Sequence, residues 1–255
     1  MIAIISDIHS NIEALTTVIK HIKSQNVEKI YCLGDLVGYG PNPGEVVDMA
    51  SEWDVVLMGN HDEAVLKEAY AFNPIAKSAI EWTRTQLKPG LLSGSKKRSR
   101  WQFINNLKLT HTVDGALFVH ASPRDPTMEY ILRSDTVDLI GNEVPEKIKN
   151  IFSRFDRLCF IGHTHDPGII TEDSKFLSPT DFDNKFTFES SKKYIINVGS
   201  VGQPRDGDTR SCYVTYDGNT ITYHRVEYDY KTTIEKVLNI SALDRRSGER
   251  LALGR

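Results

Sequence analysis

Cysteine is scarce in this chain. There are three in 255 residues, an odd number, and no C-x-x-C spacing relates Cys32, Cys159 and Cys212. That excludes a disulfide framework and a C-x-x-C redox or zinc motif. Each thiol sits in an apolar, strand-like run (IYCLG, RLCFIG, SCYVTY), so the expectation is buried, reduced thiols in a cytoplasmic protein. Long hydrophobic runs are missing too. The opening MIAIISD meets a charge after five apolar residues, too few for a signal-peptide core, and no later stretch matches a bilayer, so no membrane partner is expected. Nor does one sign of charge dominate. Lys and Arg total 31 against 34 Asp and Glu, a net charge of −3, which gives no global attraction to nucleic acid. The one short basic run, Lys96, Lys97, Arg98 and Arg100, reads as a solvated helix start. Linkers rich in Ser, Gly or Pro, repeats and low-complexity tracts are all absent. Residues 1–255 are therefore expected to form a single domain, with 40% apolar residues to build its core.

What is present begins with an alternation of strand and helix. IAIIS (2–6) is followed by SNIEALTTVIKHIKSQ, in which Ile12, Leu15, Ile19 and Ile22 recur at helical spacing and Ser10-x-x-Glu13 resembles a capping box. KIYCL (29–33) predicts a strand, EVVDMASE a helix and DVVLM (54–58) a third strand. This β-α-β-α-β rhythm implies a mostly parallel sheet with helices packed on it. Helices are predicted over 74–87, 99–107 and 146–155, with a strand at 115–121 between the last two. RLCFIG, GIITE, KFTFE, KYIINVG, CYVTYDG and TITYHRVEYD then predict a β-rich second half, with a turn at Asp217-Gly218-Asn219.

Five short segments place Asp, His or Asn just past strand ends. They are Asp7-x-His9, Gly34-Asp35, Gly59-Asn60-His61-Asp62, a lone His120 and Gly162-His163-Thr164-His165. Residues i and i+2 of an extended segment share a side, so the two i, i+2 pairs are each expected to present both side chains together. Any one segment alone is unremarkable: GD is usually a turn and a single histidine a packed one. Their conjunction is different, because ligands of open α/β sheets bind outside the carboxyl ends of the strands. Mixed carboxylate, imidazole and amide donors suit divalent Mn, Fe, Co, Ni or Zn better than Ca or Mg. Seven donors over-supply one ion and suit two that share a carboxylate.

D-x-H, G-D, G-N-H, a lone His and G-H-x-H, in that order, resemble the signature of the calcineurin-like metallophosphoesterase superfamily. The similarity extends into Asn197-Val-Gly-Ser-Val-Gly-Gln-Pro-Arg205, which looks like the small bacterial and archaeal members, the phosphodiesterase or dinucleoside-polyphosphatase branch. The resemblance implies an α/β fold, a four-layer αββα sandwich of two mixed β-sheets flanked by helices. It also implies that Asp7, His9 and His165 hold one divalent ion, that Asn60, His120 and His163 hold the other, and that Asp35 bridges them, with Mn favoured. Two ions ~3.5–4 Å apart can share a hydroxide and make it nucleophilic near neutral pH. His61 would protonate the leaving oxygen. Arg205, in the loop GSVGQPRDGD, and Arg124, in HASPRDP, are candidates to bind the phosphate.

Protein phosphatases of this superfamily carry G-D-x-V-D-R-G and R-G-N-H-E. Here Gly38 stands for the Asp that orients the acid histidine, Tyr39 and Met58 for two arginines, and Asp62 for Glu. The expected activity is hydrolysis of small phosphodiesters or nucleotide-derived phosphoanhydrides. The alternatives are a phosphomonoesterase or protein-phosphatase-like enzyme and a non-catalytic scaffold on the same fold.

Overall fold

The computed structural model describes residues 1–137 and 143–255. In chain order its first elements are β1 (Ile2–Ile5), α1 (Ile12–Ile22), β2 (Lys29–Cys32), α2 (Pro43–Ala50), β3 (Val55–Val56), α3 (Asn60–Leu66), α4 (Pro74–Leu87) and α5 (Ser95–Asn105). There follow β4 (Thr110–Val113), β5 (Ala116–Val119), α6 (Glu146–Phe152), β6 (Leu158–Ile161), β7 (Gly168–Thr171), β8 (Phe176–Leu177), β9 (Lys185–Thr187) and β10 (Tyr194–Asn197). The chain closes with β11 (Ser211–Tyr216), β12 (Thr220–Val226), α7 (Tyr230–Leu238) and α8 (Arg245–Glu249). No helix among the described residues is long and apolar enough to cross a membrane.

The strands form two six-stranded sheets, ordered β3-β2-β1-β11-β12-β9 and β4-β5-β6-β10-β7-β8. Both are mixed. In the first, β1 pairs parallel with β2 and antiparallel with β11. In the second, β10 pairs parallel with β6 and antiparallel with β7. The continuous apolar runs in the sequence are explained by burial on both faces. Along β1, Ala3 and Ile5 face a core shared with α1 and α2, while Ile4 faces a core between the sheets with Phe118, Phe160 and Val214. β6 alternates likewise: Leu158 and Phe160 point between the sheets, and Cys159 and Ile161 point outward to Ile148 and Ile151 of α6. Helix, sheet, sheet and helix thus stack in four layers, the architecture implied by the resemblance. All three cysteines are buried and unbonded to one another.

Local details depart from expectation. Ser10 does not cap α1. Its φ is +55°, which turns the chain one residue later, and Asn11 Oδ1 accepts from Ala14 N at 3.1 Å. Glu13, freed from the box, pairs with Thr233 and Lys236 of α7. β3 shrinks to two residues, because Leu57 and Met58 turn to meet Lys108 instead. The helix expected over 99–107 begins at Ser95, so the basic run lies inside α5, where Lys96 and Arg100 both reach Asp48. α3, α7 and α8 were not anticipated.

Candidate metal centre

Strands β1, β2 and β3 of one sheet and β5 and β6 of the other release their chains at one end of the sandwich, and every segment singled out in the sequence follows one of them. The loops there are not extended. Asp7, His9, Asp35, His163 and His165 have φ of 54°, 50°, 52°, 65° and 60°, a left-handed region uncommon for residues other than glycine, though Asn, Asp and His enter it more often than the rest. The i, i+2 pairs therefore do not work by the strand alternation that the sequence predicts. Asp7 and His9 converge through a tight left-handed turn, and His163 and His165 diverge into separate clusters. Such concentrated backbone strain is typical of functional sites. Close approach supports it: a Cβ on Gly162 would stand 2.4 Å from Asp7 Oδ2, and its absence lets His163 N donate to that oxygen at 3.0 Å.

Two buried groups result, Asp7 with His9 and His165, and Asp35 with His120 and His163; within each, the donor atoms lie within 4.8 Å of one another. In the first, His9 Nε2 is 3.2 Å from His165 Nε2, which is 3.1 Å from Asp7 Oδ1. In the second, His120 Nε2 is 3.1 Å from both Asn60 Oδ1 and His163 Nδ1. Asp35 Oδ2 stands between them, 3.6 Å from His9 Nε2 and 3.6 Å from His120 Nε2. A third group, His9, Asp35 and His61, reuses members of the other two.

The tautomers follow from carbonyl acceptors, which can only receive a proton. His9 Nδ1 donates to Val37 O at 3.2 Å, and His165 Nδ1 to Gln203 O at 2.5 Å. His163 Nε2 donates to Met128 O at 3.3 Å. The nitrogens left facing the clusters, His9 Nε2, His165 Nε2 and His163 Nδ1, therefore carry lone pairs, as metal-binding imidazoles do. Burial holds His9 well below its ordinary pKa and brings His120 down to about 4 and His163 to about 2, so these rings are neutral near pH 7. Burial, with Asp7 and Asp62 beside it, pushes Asp35 well above the carboxylate range. Buried Asp7 Oδ1 has no hydrogen-bond donor. Converging lone pairs, an undonated carboxylate oxygen and mixed N and O donors fit divalent cations.

His61 lies at the floor of a cavity of about 90 Å³ that Asp35, Asn60, Tyr39, Phe72, Tyr130 and Arg205 also line. Its ring packs against Tyr39, His9 and Phe72, with centroids 4.6, 4.8 and 5.1 Å away, and its Nδ1 has no partner. Burial and the Arg205 charge keep it well below its ordinary pKa. The lost orienting Asp is explained here. Gly38 has φ +94°, and a Cβ on it would lie 2.3 Å from His61 Nδ1, so the space an acid would need is taken by the imidazole itself. Asp62 has a different task, accepting from Leu36 N, Val37 N and Gly59 N at 3.1–3.3 Å and so joining two of the site loops.

Arg205 reaches the cavity, steadied by Gln203 Oε1 at 2.7 Å. Arg124 does not line it and is engaged by Glu129. Sequence reasoning missed Tyr130, stacked 3.9 Å from the His163 ring, Phe72, and the carbonyls of Val37, Gln203 and Met128. Of the three carbonyl residues, Val37 and Gln203 lay in segments already noted, and Met128 did not.

Residues 1–220 match the calcineurin-like phosphoesterase superfamily domain. An uncharacterized protein of Methanocaldococcus jannaschii is 38% identical over 265 residues, covering 100% of this chain and 98% of its own. A metallophosphoesterase from Sphaerobacter thermophilus superposes with a TM-score of 0.81 at 35% identity, over 100% of this chain and 98% of that one. A hypothetical protein from Pyrococcus horikoshii OT3 shares the fold, with a TM-score of 0.73 at 18% identity over 100% and 99% of the two chains. With these matches and two buried donor clusters at the strand ends, the chain belongs to the calcineurin-like phosphoesterase superfamily.

Proposed function

We propose that this protein is a dinuclear-metal phosphoesterase acting on small phosphodiesters or nucleotide-derived phosphoanhydrides. The observation that carries this reading is the placement of Asp35 Oδ2, 3.6 Å from one histidine of each cluster, the position of a bridging carboxylate. On this reading Asp7, His9 and His165 hold one ion and Asn60, His120 and His163 the other, with Mn the first choice among the ions that suit these donors. When bound, the pair supplies Lewis acidity and an activated water.

The chain's own residues supply the rest. Arg205 holds a non-bridging phosphate oxygen over the clusters, and Tyr39, Phe72 and Tyr130 wall the cavity against water. An anion seated against Arg205 offsets part of the positive charge that, after burial, disfavours the His61 imidazolium, and His61 is the group placed to protonate the leaving oxygen. Diesters and anhydrides are favoured because Arg205 is the one arginine lining this cavity among the described residues, whereas a monoester dianion calls for more. The scaffold alternative loses support, since all seven donor positions are filled and converge.

We read residues 1–255 as one domain, because Ile4 and Val214 share a core with Phe118 and Phe160 of the other sheet. The buried thiols fit a reducing cytoplasm. The test is to offer Mn-loaded protein bis-p-nitrophenyl phosphate, p-nitrophenyl phosphate, cyclic nucleotides and dinucleoside polyphosphates. Release of product from the diester or anhydride is expected; turnover of none, with metal content verified, sinks the proposal.

A further inference from the structure

The cavity above the clusters, about 90 Å³, is too small for a nucleotide-sized group, since pockets for such ligands start at ~300 Å³. A substrate whose phosphate is seated there must extend elsewhere. Arg205 lines both this cavity and an adjoining cleft of about 1010 Å³, so the cleft is the space into which the remainder passes. Its walls are polar and carry four arginines beside Asp166, Asp206 and Asp208, and two of the four arginines are already firmly paired. Arg225 is bound to Asp206 and approaches Asp208 at 3.8 Å, and Arg210 is bound to Asp208.

Two guanidiniums differ. Arg205 has no carboxylate partner among the described residues, only Gln203 Oε1. Arg133 makes only one long ion pair among the described residues, from Nε to Asp166 Oδ2 at 3.9 Å, which leaves both of its Nη groups without a carboxylate there. Its side chain is nonetheless held in place, lying 4.1 Å over the Phe176 ring and donating from Nη2 to Ser178 Oγ at 2.6 Å. A guanidinium fixed by stacking and one hydrogen bond keeps further donors for an anion and loses little freedom on binding it.

Resting on the phosphoesterase reading above, we propose that the cleft binds the non-reacting part of the substrate, that this part bears a second phosphate, and that Arg133 grips that phosphate. Arg133 is then a specificity-determining residue, remote from the reacting bond.

A matched pair of substrates tests this. The 5′-p-nitrophenyl ester of thymidine 5′-monophosphate and its 3′-phosphorylated counterpart release the same leaving group and differ only in the remote phosphate. The wild-type, metal-loaded protein is expected to prefer the second in kcat/KM by about tenfold or more, the range of one charge-assisted hydrogen-bonded contact. Arg133→Gln should collapse that ratio towards one, and Arg133→Lys should restore part of it, with melting temperatures confirming that both variants fold. A wild-type ratio near one, or a ratio untouched in Arg133→Gln, overturns the cleft assignment while leaving the phosphoesterase reading standing. Failure to hydrolyse either ester or bis-p-nitrophenyl phosphate with both metals verified removes that reading, and the cleft assignment with it.

Discussion

The Nε2 atoms of His9 and His165 lie 3.2 Å apart, and neither carries a proton to join them, because both Nδ1 atoms donate to carbonyls. Two lone pairs held face to face in a buried site repel unless a cation lies between them. Metal removal is therefore expected to destabilise the fold. At a hundredfold excess over Kd a bound ion contributes ~2.7 kcal/mol, or roughly 5–10 °C in Tm for a chain of this size. Thermal scans with a chelator and after Mn readdition check this, and coincident curves would contradict it.

Asp35→Asn keeps the shape of the side chain and the acceptor for His61 N, which Asp35 Oδ1 receives at 2.8 Å. It removes the charge at Oδ2. Bound metal measured by mass spectrometry should drop from two per chain to about one, and turnover by about a thousandfold. An unchanged rate would mean that Asp35 does not bridge.

Gly38→Ala inserts a methyl 2.3 Å from His61 Nδ1 at a residue whose φ is already positive, so the imidazole must move. Metal content should stay the same. Esters with poor leaving groups should lose about a hundredfold in kcat, as in His61→Ala, and p-nitrophenyl esters far less. Equal losses on both ester types would remove His61 as the acid.

Far from the clusters, burial brings half-buried His224 down to about 4 from its ordinary 6.5. Its Nε2 lies 2.9 Å from Thr215 Oγ1, and its ring stacks on Tyr213. Above pH 6.5 the ring is neutral folded or unfolded. As pH falls from 6.5 to 4 the unfolded chain takes up the proton first, so stability is lost across that window. Urea midpoints of the wild type should fall relative to His224→Gln over the same range; parallel curves would rule the effect out.

The candidate donor residues were legible because side-chain chemistry at strand ends is written directly in the sequence. Their partners were not. The tautomers of His9, His165 and His163 are set by backbone carbonyls at Val37, Gln203 and Met128, and every residue owns a carbonyl. Strands β1 and β6 announced themselves by apolar runs buried on both faces. By contrast, α7 buries only Thr233 and Val237, and α3 begins within GNHD itself, where the site's own residues hide the helical pattern. Gly38 looked like a loss of the acid's orienting partner, and only packing revealed the ring it makes room for.

The Asp7 cluster and the Asp35–His120–His163 cluster each draw on both sheets. Asp7 and His9 follow β1 while His165 follows β6; Asp35 and Asn60 follow β2 and β3 while His120 and His163 follow β5 and β6. The site is thus a seam, and no contiguous half of the chain contains either of these two clusters, although the third group, His9, Asp35 and His61, follows β1, β2 and β3 alone. A proteolytic fragment or a nascent chain stalled before β6 lacks the means to complete either one. On the proposed reading, ion uptake reports completed assembly, and hydrolytic competence arrives last, after the two sheets have met.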